Sequence, residues 1–166
     1  DLTGFGAISV YDFTMNTNGK FISRSNSASG AWNIAGNLVV NNGTIYMGAS
    51  GGSGYGATTV TGNVNVSGGL LDMDYNTNAL TVNTDVILSG GTLALSNSGG
   101  GDLKLKGNWS KTGGTFTPRI RLVEFNGTAA QTLTGSSTFD YFKVDNTNGL
   151  TLVSANPTTV NTNITL

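Results

Sequence analysis

The chain has no histidine, no cysteine, a single glutamate (Glu124) and only two prolines in 166 residues. Without His there is no Ser/His/Asp or Cys/His nucleophilic machinery and no imidazole metal ligand. Without Cys there is no disulfide framework, zinc cluster or thiolate nucleophile. Charge is scarce as well. Eight Lys and Arg against nine Asp and Glu leave a net charge of −1, so attraction of the whole chain to nucleic acid or to an anionic membrane is not expected. Apolar runs are short, far below the roughly 20 residues needed to cross a bilayer, and Asp1, Leu2, Thr3 and Gly4 lack the basic-then-apolar order of a signal peptide. Neither membrane insertion nor a nucleic-acid partner is expected. A chain that opens with Asp in place of Met is expected to be processed, or cut from something longer.

What is abundant is Gly (25), Thr (24), Asn (20) and Ser (15), together about half of the sequence. These are poor helix formers, so an all-β chain is expected. The apolar residues are few but alternate with polar ones, which argues against disorder. They also recur. Ile34 to Met47 reads I-A-G-N-L-V-V-N-N-G-T-I-Y-M, and Val60 to Met73 reads V-T-G-N-V-N-V-S-G-G-L-L-D-M. Val82 to Leu95 and Leu105 to Pro118 repeat the pattern, Val160 to Leu166 matches its first half, and looser copies begin near Ile8 and Leu133.

Within a unit the first, fifth, seventh, twelfth and fourteenth positions are apolar, which is period-two alternation on either side of a turn. The fifth (Leu38, Val64, Val86, Trp109) and twelfth (Ile45, Leu71, Leu93, Phe116) are expected to point inward. The tenth is Gly in four copies (Gly43, Gly69, Gly91, Gly114), as a sharp corner with positive φ demands. Trp32, Leu80 and Leu103, two residues before the first position, mark a third strand. Three strands every 22 to 28 residues describe one coil of a solenoid. The expected fold is a single-stranded, right-handed parallel β-helix of about six to seven coils, one domain spanning residues 1–166, with handedness taken from the crossover rule. The alternative is a β-sandwich of hairpins, since Asn-Gly and Gly-Gly also make hairpin turns. A solenoid is preferred because it stacks equivalent positions above one another.

The fourth position holds Asn37, Asn63, Asp85, Asn108 and Asn163, expected to hydrogen-bond along the rod as a structural ladder. Lys104, Lys106, Arg119 and Arg121 alternate with apolar residues and are expected to form a solvent-facing basic stripe. That stripe is either paired with Asp102, Glu124, Asp72 and Asp74 or available to an anionic polysaccharide or a neighbouring subunit. Lys111 breaks the pattern set by Val40, Val66 and Leu88, as a snorkelling side chain or a bulge would. Asp72 and Asp74 share a face and are the best carboxylate pair, and β-helix polysaccharide lyases use clustered acids with calcium and an Arg or Lys base, but no separate constellation of several acids with a nearby base is readable here, so a lyase is disfavoured and no catalytic residue, cofactor or metal is expected. Gly99 to Asp102 grazes a calcium-repeat motif once, and Gly51 to Gly56 lacks the Lys of a phosphate loop. Tyr46, Tyr55 and Tyr75 are candidate exposed aromatics for a carbohydrate-binding module. The Thr pairs do not recur at one offset, which disfavours an ice-ordering lattice.

The segment V-E-F-N-G-T-A-A-Q-T-L-T-G-S-S-T-F-D-Y-F-K-V-D-N-T-N-G-L-T-L (Val123 to Leu152) resembles repeats in very large secreted surface proteins of Bacteroidota-type bacteria. In that family an F-N-G-x-x-x-Q-x-(L/I)-x-G run precedes an apolar strand, an N-x-x-G turn and an L-T-L strand. The resemblance implies a β-helix stalk of an adhesin-like or filament-forming protein, exported to the cell surface. The expectation is therefore a non-catalytic extracellular solenoid, either part of a longer chain or stacking end to end on other copies. In the stacked form Ile8, Val10, Phe13 and Met15 of one copy would close on Val160, Ile164 and Leu166 of another.

Overall fold

In a computed structural model, residues 2–5, 7–24, 30–48, 55–153 and 157–166 are described. All regular structure among them is β. β1 (Leu2–Phe5) precedes a first coil made of β2 (Ile8–Val10) and β3 (Phe13–Arg24), and β4 (Trp32–Ile34) and β5 (Leu38–Tyr46) form the second. Three short strands make each of the next coils: β6 (Thr58–Val60), β7 (Val64–Val66) and β8 (Leu70–Asp72); β9 (Leu80–Val82), β10 (Val86–Leu88) and β11 (Thr92–Ala94); β12 (Leu103–Leu105), β13 (Trp109–Lys111) and β14 (Thr115–Thr117). β15 (Leu122–Phe125), β16 (Gln131–Thr134), β17 (Ser137–Val144), β18 (Leu150–Val153) and β19 (Thr158–Thr165) complete the last turns.

Every ladder among these strands is parallel and joins one coil to the next, which excludes a sandwich of hairpins. The first face is the eight-stranded sheet from β2 to β19. The second runs from the start of β3 through the start of β5, then β7, β10, β13, β16 and β18. The third holds the ends of β3 and β5, then β8, β11 and β14. β3 and β5 bend through the corner without breaking, which is why one sheet includes strands of two faces.

The period-two pattern decides what fills the interior. Ile34, Val60, Val82 and Leu105 on the first face, Leu38, Val64, Val86 and Trp109 on the second, and Ile45, Leu71 and Leu93 on the third are all at most 1% exposed. The corner glycines take the left-handed conformation the turn requires, with φ of 63° at Gly69 and 61° at Gly91. A Cβ on Gly91 would sit 2.5 Å from the backbone of Gly68 in the coil before it.

The Asn column forms, and most of its bonds run to the backbone, with a side-chain bond from Asn108 Nδ2 to Asp85 Oδ1 at 3.1 Å beside them. Asn63 N–H donates to Asn37 Oδ1 at 2.9 Å, Asp85 N–H to Asn63 Oδ1 at 3.0 Å, and Asn108 N–H to Asp85 Oδ1 at 2.6 Å. The column extends beyond the sequence pattern at both ends. Asn37 N–H donates to Asp12 Oδ1, and Thr132 N–H to Asn108 Oδ1. Asn163 is not part of it: this residue pairs with Tyr141 on the first face, and Val160 with Phe139. The closing copy is thus shifted by one face relative to the sequence alignment. Leu133 is shifted too, pairing with Trp109 at the fifth position and not starting a unit.

The third face is interrupted after β14, because Pro118 and a tight turn follow it and no ladder joins β14 to β17. Aromatic rings fill the space. Trp109 packs against Phe116 and Phe139 with centroids 4.8 and 5.4 Å apart, Phe139 meets Phe142 at 5.1 Å, and Trp109 Nε1 donates to Ser137 Oγ at 2.9 Å. Lys111 lies half-buried beside this gap, where the β13–β16 ladder stops at Ser110, and lines its mouth.

Removing one rung of the Asx column leaves a half-buried N–H without an acceptor, which costs about 1–2 kcal/mol. Asn63→Ala is expected to lower the unfolding free energy measured by urea denaturation by that amount, while Asn65→Ala, outward on β7, changes it by less than about 0.5 kcal/mol.

Candidate functional site

Two regions carry the residues singled out by the sequence, the charged groups between 102 and 145 and the ends of the coil. The charged groups do not form one basic stripe. Lys104 stands on the first face in register with Glu124, which is in register with Lys143, so charge alternates up that column. Lys143 Nζ lies 2.7 Å from Glu124 and 2.8 Å from Asp145, while Lys104 Nζ is 3.8 Å from Glu124. Hydrogen bonds to Asp145 and then Glu124 hold Lys143 protonated well above the ordinary lysine range. Lys106 is exposed.

Arg119 turns away from solvent, contrary to the alternation around Ile120. Arg119 and Ile120 both have positive φ, 50° and 58°, at the centre of a turn closed by Arg121 N–H donating to Pro118 O. Asp140 Oδ2 accepts from Ile120 N–H and Asp102 Oδ1 from Leu122 N–H, pinning the turn on either side. The guanidinium then makes a bidentate pair with Asp72 at 2.6 and 2.9 Å and donates to Leu95 O. Tyr46, Asp72, Ala94 and Thr117 form one in-register row, so Arg119 passes over the small Ala94 to reach an acid two coils away. Arg121 Nε donates to Arg119 O. Alternation cannot reveal this, because it assumes extended backbone and the chain is in a left-handed turn here.

The same clamp accounts for the carboxylate pair. Asp72 is 6% exposed, bound by Arg119, and accepts from Asp74 N–H at 2.7 Å. Burial, then the neighbouring Asp72 charge, raises the Asp74 carboxyl above its ordinary value of 3.8. Asp102 is likewise committed to the backbone. Among the described residues no three acids gather at one point. Gln131, quoted in the repeat motif, is fully buried: its Oε1 accepts from Gly127 N–H and its Nε2 donates to Leu105 O and Gly107 O, so it ties the Asn126–Ala130 loop to the preceding coil. Of the tyrosines, Tyr55 is buried, Tyr46 is half-buried and Tyr75 is 37% exposed; the expectation of three exposed aromatics is corrected at Tyr55. The Gly51–Gly56 run falls largely outside the described residues.

The two ends differ. At the C-terminal end, Leu152 is in register above Leu133, Val160 above Phe139 and Ile164 above Phe142. The lower member of each pair is buried, whereas Leu152 is 60% and Ile164 55% exposed, and Leu166 is 93% exposed. Leu152 is the contact residue that the sequence reading overlooked, although it lies in the quoted L-T-L strand. Among the described residues β18 and β19 are the terminal strands of their sheets, each with one edge unpaired. At the other end Ile8, Val10 and Phe13 are half-buried, but Met15 is 5% exposed and not available for contact. β1 also pairs outside β3 there, so this end is better covered on its third face. Compared with known proteins, the chain matches no family model, no curated protein and no solved structure.

Arg119→Ala would leave Asp72 buried without its counter-charge, and a loss of about 3 kcal/mol is expected, with much of it recovered in Arg119→Ala/Asp72→Ala. A double-mutant cycle by urea denaturation measures this. Because the folded state raises the Asp74 pKa, folding takes up a proton above pH 3.8, and stability falls as pH rises through the raised value. Asp74→Asn, whose side chain also tolerates the φ of 49°, should therefore raise the thermal midpoint at pH 7 and leave it unchanged at pH 3. An equal gain at both pH values would show that charge is not the cause.

Proposed function

We propose that this solenoid is a structural rod element of an extracellular adhesin, sheath or filament, which continues by stacking further coils on its open end and carries out no catalysis. The further coils come from flanking repeats or from other copies of the chain. The observation that carries this reading is the end formed by β18 and β19, where Leu152 and Ile164, in register above the buried Leu133 and Phe142, are 60% and 55% exposed, and where each strand has one edge without a partner among the described residues. Solenoids ordinarily cover such ends, because an exposed parallel edge with an apolar floor recruits another strand. An end that binds the opposite end of the next copy is a heterologous contact, which propagates into a fibre and does not close as a dimer.

The extracellular placement draws on the resemblance of Val123 to Leu152 to secreted surface repeats. The chemistry of the chain is consistent with it. Reactive or titrating side chains are few, and the buried polar groups hold loops and corners together. Of the two acids nearest to a catalytic arrangement, Asp72 is consumed by Arg119 and the backbone, and Asp74 is held close to it in a structural turn.

Sedimentation of the purified chain is expected to show association that grows with concentration, and Leu152→Lys/Ile164→Lys to abolish it. Monomers at every concentration would refute end-to-end stacking of copies. Labelling of intact producing cells with an antibody against the solenoid tests the location, and signal only after permeabilisation would refute the surface assignment.

A further inference from the structure

We propose that the corner groove between the second and third faces, beside the N-terminal coils, binds an uncharged carbohydrate. It is built by an insertion. β3 pairs Asn16 with Asn42 and Phe21 with Thr44 of β5, so β3 advances five residues where β5 advances two. The extra chain contains Asn18 and Gly19, and Gly19 has a φ of 67° that turns the backbone outward at the corner. This leaves an open groove of about 680 Å³ whose wall includes Asn18 and Gly19 and whose floor includes Asn42, Thr44, Tyr46 and Leu70.

The lining selects the ligand. Ile45 points into the core with no exposed surface, so Thr44 and Tyr46 on either side of it point outward together. Leu70 is in register with Thr44 on the next coil and gives an apolar patch beside the Tyr46 ring. A half-buried aromatic ring offers a face to the C–H groups of a sugar ring, and the Asn18 and Asn42 amides and the Thr44 hydroxyl both donate and accept, as vicinal hydroxyls require. Among the described residues that line the groove none is charged, so these residues offer an anionic polymer no counter-charge for the water it would lose. The volume lies in the range of small-molecule sites, enough for a short stretch of a glycan chain. Two of the basic residues that could hold an acidic polysaccharide are engaged elsewhere, Arg119 on Asp72 and Lys143 on Glu124.

The test is affinity electrophoresis of the intact chain through gels containing neutral polymers (galactomannan, xyloglucan, arabinoxylan, mixed-linkage glucan) or acidic ones (polygalacturonate, alginate). Retardation by at least one neutral polymer is expected, with affinity falling about tenfold in Tyr46→Ala and about threefold in Thr44→Val, which keeps the β-branched shape and removes only the hydroxyl. Circular dichroism checks each variant, and if Tyr46→Ala has lost its β-structure, Thr44→Val decides. Unretarded passage through every neutral gel, retardation by acidic polymers alone, or retention unchanged in the folded variants would overturn the proposal. Failure here leaves the stacking of coils untouched, because that is read by sedimentation and depends on Leu152 and Ile164 at the opposite end.

Discussion

The structure depends on closing a corner without leaving a backbone donor dry. Where the chain turns from the first face into the second, one N–H per coil points along the axis at a place with no strand to receive it. A side-chain oxygen from the coil before it accepts that N–H, from Asp12 through Asn37, Asn63, Asp85 and Asn108 to Thr132. Each such bond satisfies a polar group and also locks the register of one coil on the last, since a slip of one residue would turn the apolar side chains outward. The left-handed glycines at the next corner do the complementary work of letting backbones approach where any Cβ would collide.

With the corners set, the interior has only to be filled, and it is filled by stacking like on like. Aliphatic columns fill most of the early coils beside the Phe13–Trp32 contact, and an aromatic cluster around Trp109 and Phe139 takes over where the third ladder is interrupted. Charged residues work outside this interior. Arg119 and Asp72 fasten a strained turn across Ala94, and Glu124 between Lys104 and Lys143 fastens the first face. Function, in the reading proposed above, belongs to what the rod leaves uncovered: an open apolar end and a neutral corner groove.

The repeat made most of this legible. Leu38, Val64, Val86 and Trp109 could be placed in the core from alternation alone, and the four corner glycines from their offset, because stacking forces equivalent residues into equivalent environments. Reading failed where the chain departs from extended backbone or from the common repeat length. Alternation points Arg119 to solvent, because its left-handed φ is invisible in an alternating pattern. Leu133 and Val160 were aligned one face away from their true partners because the last coils carry loops of different length. Tyr55 follows a Gly-rich stretch whose pattern carries no sign of its burial, and Met15 lies near the N-terminal end yet packs into the core.

Composition and periodicity by themselves determined that this chain is an all-β solenoid, since half of it being Gly, Thr, Asn and Ser at regular offsets suits little else. They also placed the inward columns and the existence of an Asn corner. Tertiary structure alone decided that the Asn oxygens cap backbone N–H groups, that an arginine reaches two coils back to a buried aspartate, and that Leu152 and Ile164 lie bare while their lower neighbours are buried. The reason is that periodicity records which face of a strand a side chain occupies, whereas what lies above it, and how far a long side chain can bend, depends on coils that are distant in sequence.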